Sequence, residues 1–274
     1  MSLNKKHAAI GIVLLIITWV GNVFYYKKHV LKEPIFLKHY YHITKENSDF
    51  KLYYIENINS KENINNIVFP EVGEEHIEFY KYSDNTNKRY YQMKSVGINI
   101  YKDDSAKILE KYENKVITNV KVEFSSGRVM NVDIGKIYLC SDNEGKDVLF
   151  TRKSSYSDSS SGYDSFIIDK NIKIKAICSK FPEITNDILQ VNKESLKNIK
   201  FPITLKTGDK LDIKYKFKFN KDDIRKNYLY RFPLNIIIGD SKESKVFYSR
   251  YVNYCPQFLD EIDVNSLIND KERK

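Results

Sequence analysis

The sequence predicts a mainly β protein: a single N-terminal transmembrane helix followed by one or two antiparallel β-sandwich (immunoglobulin-like) domains with one or two short helices. Three observations support this class. Residues 8–26 form an apolar run, many later segments alternate in polarity with a period of two, and the chain contains 21 Tyr and 15 Phe. Alternation indicates strands with one buried face, and aromatic residues are enriched in strands.

The apolar run over residues 8–26 is long enough to cross a bilayer. About 19 residues at about 1.5 Å each give a helix of just under 30 Å, close to the thickness of the hydrocarbon layer. Ten of these residues are Ile, Leu, Val or Phe, and none is charged. Aromatic and basic residues suited to the membrane interface occupy its second half and its end: Trp19, Tyr25, Tyr26, Lys27 and Lys28.

Two alternatives to an anchor remain for this run. A cleaved signal peptide would need a small-x-small cleavage site, which does not follow the run, and a buried core helix would show a polar face. Two lysines precede the run closely and four follow it closely, a count that alone places the body in the cytoplasm. Long domains translocate largely regardless of flanking charge, so we expect an extracytoplasmic body at the cell membrane.

Composition limits the partners that the chain can have. The net charge is +9, but the lysines are spread along the chain and arginine is rare beside them, so nucleic acid is not expected. The expected partners are the lipid bilayer through residues 8–26 and either an anionic envelope polymer or another membrane protein. The excess of Lys, Asn and Ile, with no N-x-S/T sequon, indicates a bacterial source.

The first half of the body is predicted to be rich in strands. A short helix is predicted over 103–113, and a hairpin joins 116–124 to 128–139. Gly127 supplies the positive φ of the hairpin turn, and a change of phase at Gly135 suggests a bulge. The other predicted strands of this half are 50–56, 64–69, 76–82 and 88–101.

The second half continues the pattern after a turn over 141–147. Residues 154–165 are predicted to form a Ser-rich loop, and 183–198 a helical turn or an irregular crossover. The clearest alternation of the chain lies in 209–219, where rings and aliphatic residues face inward and lysines face outward. The other predicted strand segments are 164–178, as a strand pair or one bent strand, then 228–239 and 244–254.

These segments suggest a domain organisation with a boundary near residue 140. The length of the body favours two sandwiches over one large one. The predicted order is a basic N-terminus 1–7, a transmembrane helix 8–26, a juxtamembrane stalk 27–45, a first β-rich domain 46–140, a second β-rich domain 141–256 and a charged flexible tail 257–274.

No stretch of the sequence carries a catalytic, metal or nucleotide signature, so no catalytic residue, metal ligand or cofactor is predicted. His39 and His42 have a spacing that suits two ligands on one helical face, but no further ligand is near, and we interpret them as juxtamembrane residues. The three cysteines, Cys140, Cys178 and Cys255, are too far apart for a zinc motif.

The Ser-rich loop is the candidate binding element. Loops at the end of a sandwich carry recognition, and mixtures of Tyr and Ser make adaptable contacts. The candidate binding residues are Tyr156, Ser159, Ser160 and Tyr163. The predicted function is therefore non-enzymatic binding or a structural role at a bacterial cell envelope. The alternatives are a membrane-tethered envelope enzyme with a dispersed site and a cytoplasmic-facing accessory subunit of a membrane complex.

Overall fold

A computed structural model describes residues 5–44, 48–73, 78–100, 112, 114–140, 150–239, 245–256 and 262–272. The mainly β class is confirmed, with several antiparallel sheets and three helices in this part of the chain. The helices are α1 Lys5–His29, α2 Pro182–Ile188 and α3 Val264–Glu272.

The strands of the first half are β1 Ile35–Phe36, β2 His39–Ile43, β3 Asp49–Asn57, β4 Ile64–Val68, β5 Glu78–Lys88, β6 Tyr91–Asn99, β7 Val116–Phe124 and β8 Val129–Leu139. Those of the second half are β9 Phe150–Ser157, β10 Ser161–Ile168, β11 Ile172–Cys178, β12 Leu189–Val191, β13 Glu194–Ser195, β14 Ile203–Leu205, β15 Lys210–Lys216, β16 Leu229–Ile238 and β17 Lys245–Tyr254. Among the described residues there are also two 3₁₀ turns, Leu196–Asn198 and Ile224–Asn227.

Helix α1 has the properties expected of a membrane span. His7–Lys27 has a mean hydropathy of 2.1, and its most apolar stretch is not buried against the rest of the protein. In the described part of the chain it is the one helix that is long and apolar enough to cross a membrane. A core helix of a soluble protein would bury one face, so the exposed side chains do not fit that alternative.

The first half of the body is a sandwich, which we call the membrane-side sandwich. A four-stranded sheet in the order β1-β3-β6-β5 packs against β2, β8, β7 and β4 of an eight-stranded sheet. Leu52 and Ile98 from the first sheet and Val122 and Ile137 from the second lie in one buried cluster. The predicted hairpin is confirmed as β7–β8, with Gly127 at a φ of 81° in its turn.

The second half is another sandwich, which we call the outer sandwich. A five-stranded sheet in the order β13-β12-β15-β10-β9 covers the remaining strands of the eight-stranded sheet, β11, β14, β16 and β17. Phe166, Tyr215 and Phe232 lie in its own buried cluster, separate from the first. The boundary predicted near residue 140 adjoins undescribed residues and stays a prediction, as does the immunoglobulin-like relationship.

A strand that the sequence did not predict joins the two sandwiches. The stalk predicted over 27–45 contains β1 and β2, and β2 pairs in parallel with β8 on one side and with β16 on the other. The eight-stranded sheet is therefore mixed rather than wholly antiparallel. The aromatic and basic residues of this segment suggested a membrane interface, whereas pairing with strands distant in the sequence buries His39, Tyr41 and His42.

The predicted irregularity at Gly135 is confirmed, and Gly135 also lies against β2. The β7–β8 register shifts on either side of it, and its φ is 96°. A Cβ atom at this position would lie 2.5 Å from the carbonyl oxygen of His39. Only glycine allows β2 and β8 to approach so closely while also adopting this backbone conformation.

Two other predictions differ from the structure or lie outside it. Of the helix predicted over 103–113, the structure describes only Tyr112. Within the tail predicted to be flexible over 257–274, residues 264–272 form α3, which buries Val264 and Leu267 against the core of the membrane-side sandwich. The prediction considered the many charged residues of this segment and not the helical spacing of its apolar residues, such as Val264 and Leu267.

Candidate functional site

The Ser-rich segment forms a β-hairpin and not a loop. Strands β9 and β10 pair along their length, with Tyr156 opposite Tyr163. β9 is the edge of the five-stranded sheet, and its residues after Phe150 are exposed. The many serines and the lack of alternating polarity suggested a loop. Pairing with the half-buried strand β10 is nevertheless sufficient to hold β9 as an edge strand.

Asp158 organises the turn between these strands. Its carboxylate accepts hydrogen bonds from the amide of Ser160 at 2.7 Å, the hydroxyl of Ser161 at 2.8 Å and the hydroxyl of Tyr156 at 3.0 Å. The Ser160 amide and then the Ser161 hydroxyl hold the pKa of this carboxyl well below its usual range. Ser159 lies in the turn, where its carbonyl oxygen accepts a hydrogen bond from the amide of Cys255 at 3.3 Å.

The lysines of β15 lie on the same face as these tyrosines. Along β15 the apolar side chains are buried and the lysines exposed, as the alternation predicts. The register places Tyr163 directly opposite Lys214, and Lys214 opposite Gln190 of β12. Directly opposed residues of antiparallel strands point to the same side of a sheet. A row of side chains therefore crosses the sheet on its solvent side: Tyr156, Tyr163, Lys214 and Gln190.

This row belongs to a larger concave surface of about 540 Å³. We call it the basic face, and define it by Tyr156, Tyr163, Gln190, Lys193, Lys210, Asp212, Lys214 and Lys216. A second depression of about 290 Å³ continues it through Lys214 and Lys216 to Lys218 and Arg225. The side chain of Tyr156 is 58% exposed, so an aromatic ring is available at the rim of a positively charged surface.

The charges of the basic face are only partly neutralised. Asp212 accepts a hydrogen bond from Tyr163 at 2.9 Å and pairs with Lys210 at 3.0 Å. Burial alone would raise the pKa of Asp212, but the nearby Ser165 hydroxyl, Lys210 and Tyr163 lower it, so the carboxylate stays charged. Within the described residues, Lys193, Lys214 and Lys216 take part in no ion pair.

Chemically, the basic face suits an extended anion. Unpaired ammonium groups attract phosphate or carboxylate groups at a distance, and tyrosine rings and hydroxyls contact polyol or sugar units. In the described part of the chain no cluster of three or more His, Cys, Asp or Glu side chains has the geometry of a metal site.

The two histidines singled out by their spacing do not form a ligand pair. They lie three apart on β2, a strand, and therefore on opposite faces of the sheet. The Nε2 atom of His39 accepts a hydrogen bond from the amide of Tyr53 at 3.0 Å. Complete burial lowers the pKa of His39 to about 3, so the ring is neutral at physiological pH.

The residues predicted to lie at the membrane interface are all in α1. Trp19, Tyr25 and Tyr26 are exposed on its surface, Lys27 is exposed near its end, and Lys28 precedes its last residue. They do not meet the basic face: this end of the helix contacts the membrane-side sandwich, where Tyr25 and His29 pack against Tyr90.

Sequence reasoning found the two tyrosines of the basic face but not its lysines. Within β15, alternation places the rings on one face and the lysines on the other. The sequence therefore predicts a solvated lysine face with no aromatic ring beside it. The signal that was missing is the register, which brings a ring from β10 beside an ammonium group from β15. Asp158 was also missed, although Asp before Ser and Gly in a short segment is typical of a turn.

Comparisons with known proteins do not place the chain in a family. No family model matches it, and no curated protein resembles it significantly. Among solved structures, one similarity is to the N-terminal periplasmic domain of ScsB from Proteus mirabilis, with 9% identity over 78% of this chain and 90% of that domain. The TM-score is 0.20, which is too low for the similarity to support a conclusion about fold or function.

Proposed function

We propose that the protein is a single-pass membrane protein whose extracytoplasmic body binds an anionic polymer of a bacterial cell envelope through the basic face. The helix α1 supplies the anchor and the outer sandwich supplies the binding surface. The role is adhesive or structural rather than enzymatic.

The observation that carries this proposal is the row that crosses β9, β10, β15 and β12. It combines the exposed ring of Tyr156 with the unpaired ammonium group of Lys214, and Lys216 lies beside it on the same surface. A polymer with regularly spaced negative charges contacts several such groups at once. Its affinity then comes from many weak contacts, which a shallow open surface can make.

An extracytoplasmic orientation is consistent with this ligand. Envelope polymers that carry phosphodiester or carboxylate groups lie outside the cytoplasmic membrane. The local lysine count alone favours a cytoplasmic body, but a body of more than about 200 residues translocates largely regardless of the lysines beside α1.

Binding of a defined polymer tests the ligand. Full-length protein in a neutral detergent is titrated with poly(glycerol phosphate) and with neutral dextran. We expect binding of the first only, with an affinity that falls steeply as salt rises, because surface charges are screened. The double variant K214E/K216E should bind more than about tenfold more weakly, since each lysine near an anionic surface contributes about 1 kcal/mol.

The matched control is K121E/K136E, which reverses two exposed lysines of the eight-stranded sheet and should bind like the wild type. Equal binding by K214E/K216E, or equal binding of dextran, would contradict the proposal. Tighter binding of a single-stranded oligonucleotide than of the phosphate polymer would assign the basic face to nucleic acid instead.

Labelling of intact cells tests the orientation. In a C178S/C255S background, which removes the two partly exposed native thiols, Lys214→Cys places one thiol on the basic face. We expect it to react with a membrane-impermeant maleimide, whereas a thiol introduced at Ser2 should react only after lysis. Labelling only after lysis at position 214 would place the body in the cytoplasm.

A further inference from the structure

A groove runs along the last turns of α1 and ends on the folded body. Its volume is about 610 Å³, and its lining comprises Trp19, Asn22, Val23, Tyr26, Lys27, Val30 and Lys32. The part toward the middle of the helix is apolar except for Asn22, and the part toward the body carries two exposed lysines, Lys27 and Lys32. The groove is therefore amphipathic along its length, in the same direction as a phospholipid.

The position of Lys32 is set by the body and not by the helix. The preceding residue, Leu31, is buried, and the side chain of Asn57 in β3 accepts a hydrogen bond from its amide and donates one to its carbonyl, both at 2.8 Å. Arg128 also donates a hydrogen bond to the carbonyl oxygen of Lys32 at 3.4 Å. Only Val30 separates this attachment from the end of α1, so the two lysines hold a defined separation.

A second contact fixes the position of the body relative to the end of α1. Tyr90, which follows β5, stacks on His29 with a centroid distance of 4.9 Å and lies 6.2 Å from the ring of Tyr25. The guanidinium of Arg89 lies 5.1 Å from the centre of the Tyr90 ring. Since Tyr25 belongs to the interfacial end of the span, Tyr90 and Arg89 lie at the depth of the lipid headgroups.

We propose that the groove binds one anionic glycerophospholipid, with its phosphate between Lys27 and Lys32 and an acyl chain along Val23 and Trp19. Trp19 lies seven positions before Tyr26, about 10 Å along the helix axis, so it lies at the level of the acyl chains and not at the headgroup interface predicted for it. Juxtamembrane lysines attract anionic headgroups, and their alkyl stems cover apolar surface. This proposal rests on the proposed role of α1 as an uncleaved membrane anchor.

The single tryptophan of the chain provides the test, because Trp19 lines the groove. Full-length protein is reconstituted into phosphatidylcholine nanodiscs that contain a small, equal mole fraction of either brominated phosphatidylglycerol or brominated phosphatidylcholine. Bromine on the acyl chains quenches Trp19 on contact. We expect stronger quenching by phosphatidylglycerol, with a preference of about fivefold for each lysine.

Charge reversal at the two lysines should abolish this preference. K27E/K32E is expected to be quenched equally by both lipids, whereas K121E/K136E should keep the preference of the wild type; far-UV circular dichroism checks that each variant is folded. Equal quenching in the wild type, or a preference that persists in K27E/K32E, would overturn the lipid site while leaving the anchor in place. Absence of quenching by either lipid would instead overturn the anchor itself.

Discussion

The two sandwiches share one construction but present different surfaces. In each, a smaller sheet covers part of the same eight-stranded sheet and encloses its own apolar cluster. The membrane-side sandwich holds the end of α1 through Asn57 and Tyr90, and it buries Val264 and Leu267 of α3. The outer sandwich turns a sheet of lysines and tyrosines to solvent. The difference places the contacts with α1 on one sandwich and the exposed lysines and tyrosines on the other.

The largest expected loss of stability is at β2, the strand that both sandwiches share. Gly135→Ala would place a Cβ 2.5 Å from the His39 carbonyl at a φ of 96°, so β2 and β8 must separate. We expect a loss of about 3 kcal/mol or more in the free energy of unfolding, from urea denaturation. Because β2 also pairs with β16, both sandwiches should lose stability.

Gly127→Ala is the control for this substitution. Gly127 also has a positive φ, of 81°, but no atom lies within 4 Å of the position of its Cβ. It should therefore lose only the conformational cost, about 1 to 2 kcal/mol. Equal losses in the two variants would mean that the close approach at β2 does not constrain the sheet.

The buried His39 makes the membrane-side sandwich sensitive to acid. Burial lowers its pKa from 6.5 to about 3, so below pH 6.5 the unfolded chain takes up a proton that the folded protein does not. This contribution to stability is complete above pH 6.5 and is lost as the pH falls toward 3. Between pH 7 and pH 5 we expect a loss of about 2 kcal/mol.

Urea denaturation at the two pH values checks this expectation, with His39→Gln as the comparison. Glutamine keeps an acceptor for the Tyr53 amide but does not titrate, so the variant should lose less stability on acidification than the wild type. If both proteins lost the same amount, the acid sensitivity would come from other groups.

Asn57→Ala should loosen the attachment of α1 without affecting the basic face. It removes two hydrogen bonds to Leu31, each of which contributes about 1 kcal/mol. Hydrogen exchange at the Leu31 amide is expected to accelerate about tenfold or more. Asn119→Ala, which removes an exposed side chain of β7, should leave that rate unchanged, and polymer binding should be equal in both variants. If exchange did not accelerate in Asn57→Ala, these two hydrogen bonds would not hold the end of α1.

The smallest effect is expected at the turn of the outer sandwich. Asp158→Ala removes the acceptor that holds Ser160, Ser161 and Tyr156, so the ring of Tyr156 loses its fixed position. We expect polymer affinity to fall a few-fold, about 1 kcal/mol. Asp169→Ala, at an exposed carboxylate that accepts from Thr151, is the matched control. A wild-type affinity in Asp158→Ala would remove Tyr156 from the binding surface.

Local pattern was a good guide wherever one strand face was buried. The alternation of β15, the β7–β8 hairpin and the irregularity at Gly135 were all predicted. β2 was not, because its aromatic and basic residues resemble a membrane interface and its partners lie about 95 and 190 residues away in the chain. Of the basic face, the sequence predicted only the tyrosines. The lysines lie beside them because of the register between β10 and β15, which no local pattern specifies.

The single-residue connection between α1 and Leu31 has a mechanical consequence. In the proposed membrane-anchored form, the body would therefore not swing freely above the bilayer and would reach only ligands within its own height of the surface. Tension on a captured polymer would pass from β15 through the outer core to β16, across to β2, and into the helix about ten residues upstream. The protein would therefore act as a short, stiff strut between the wall and the membrane.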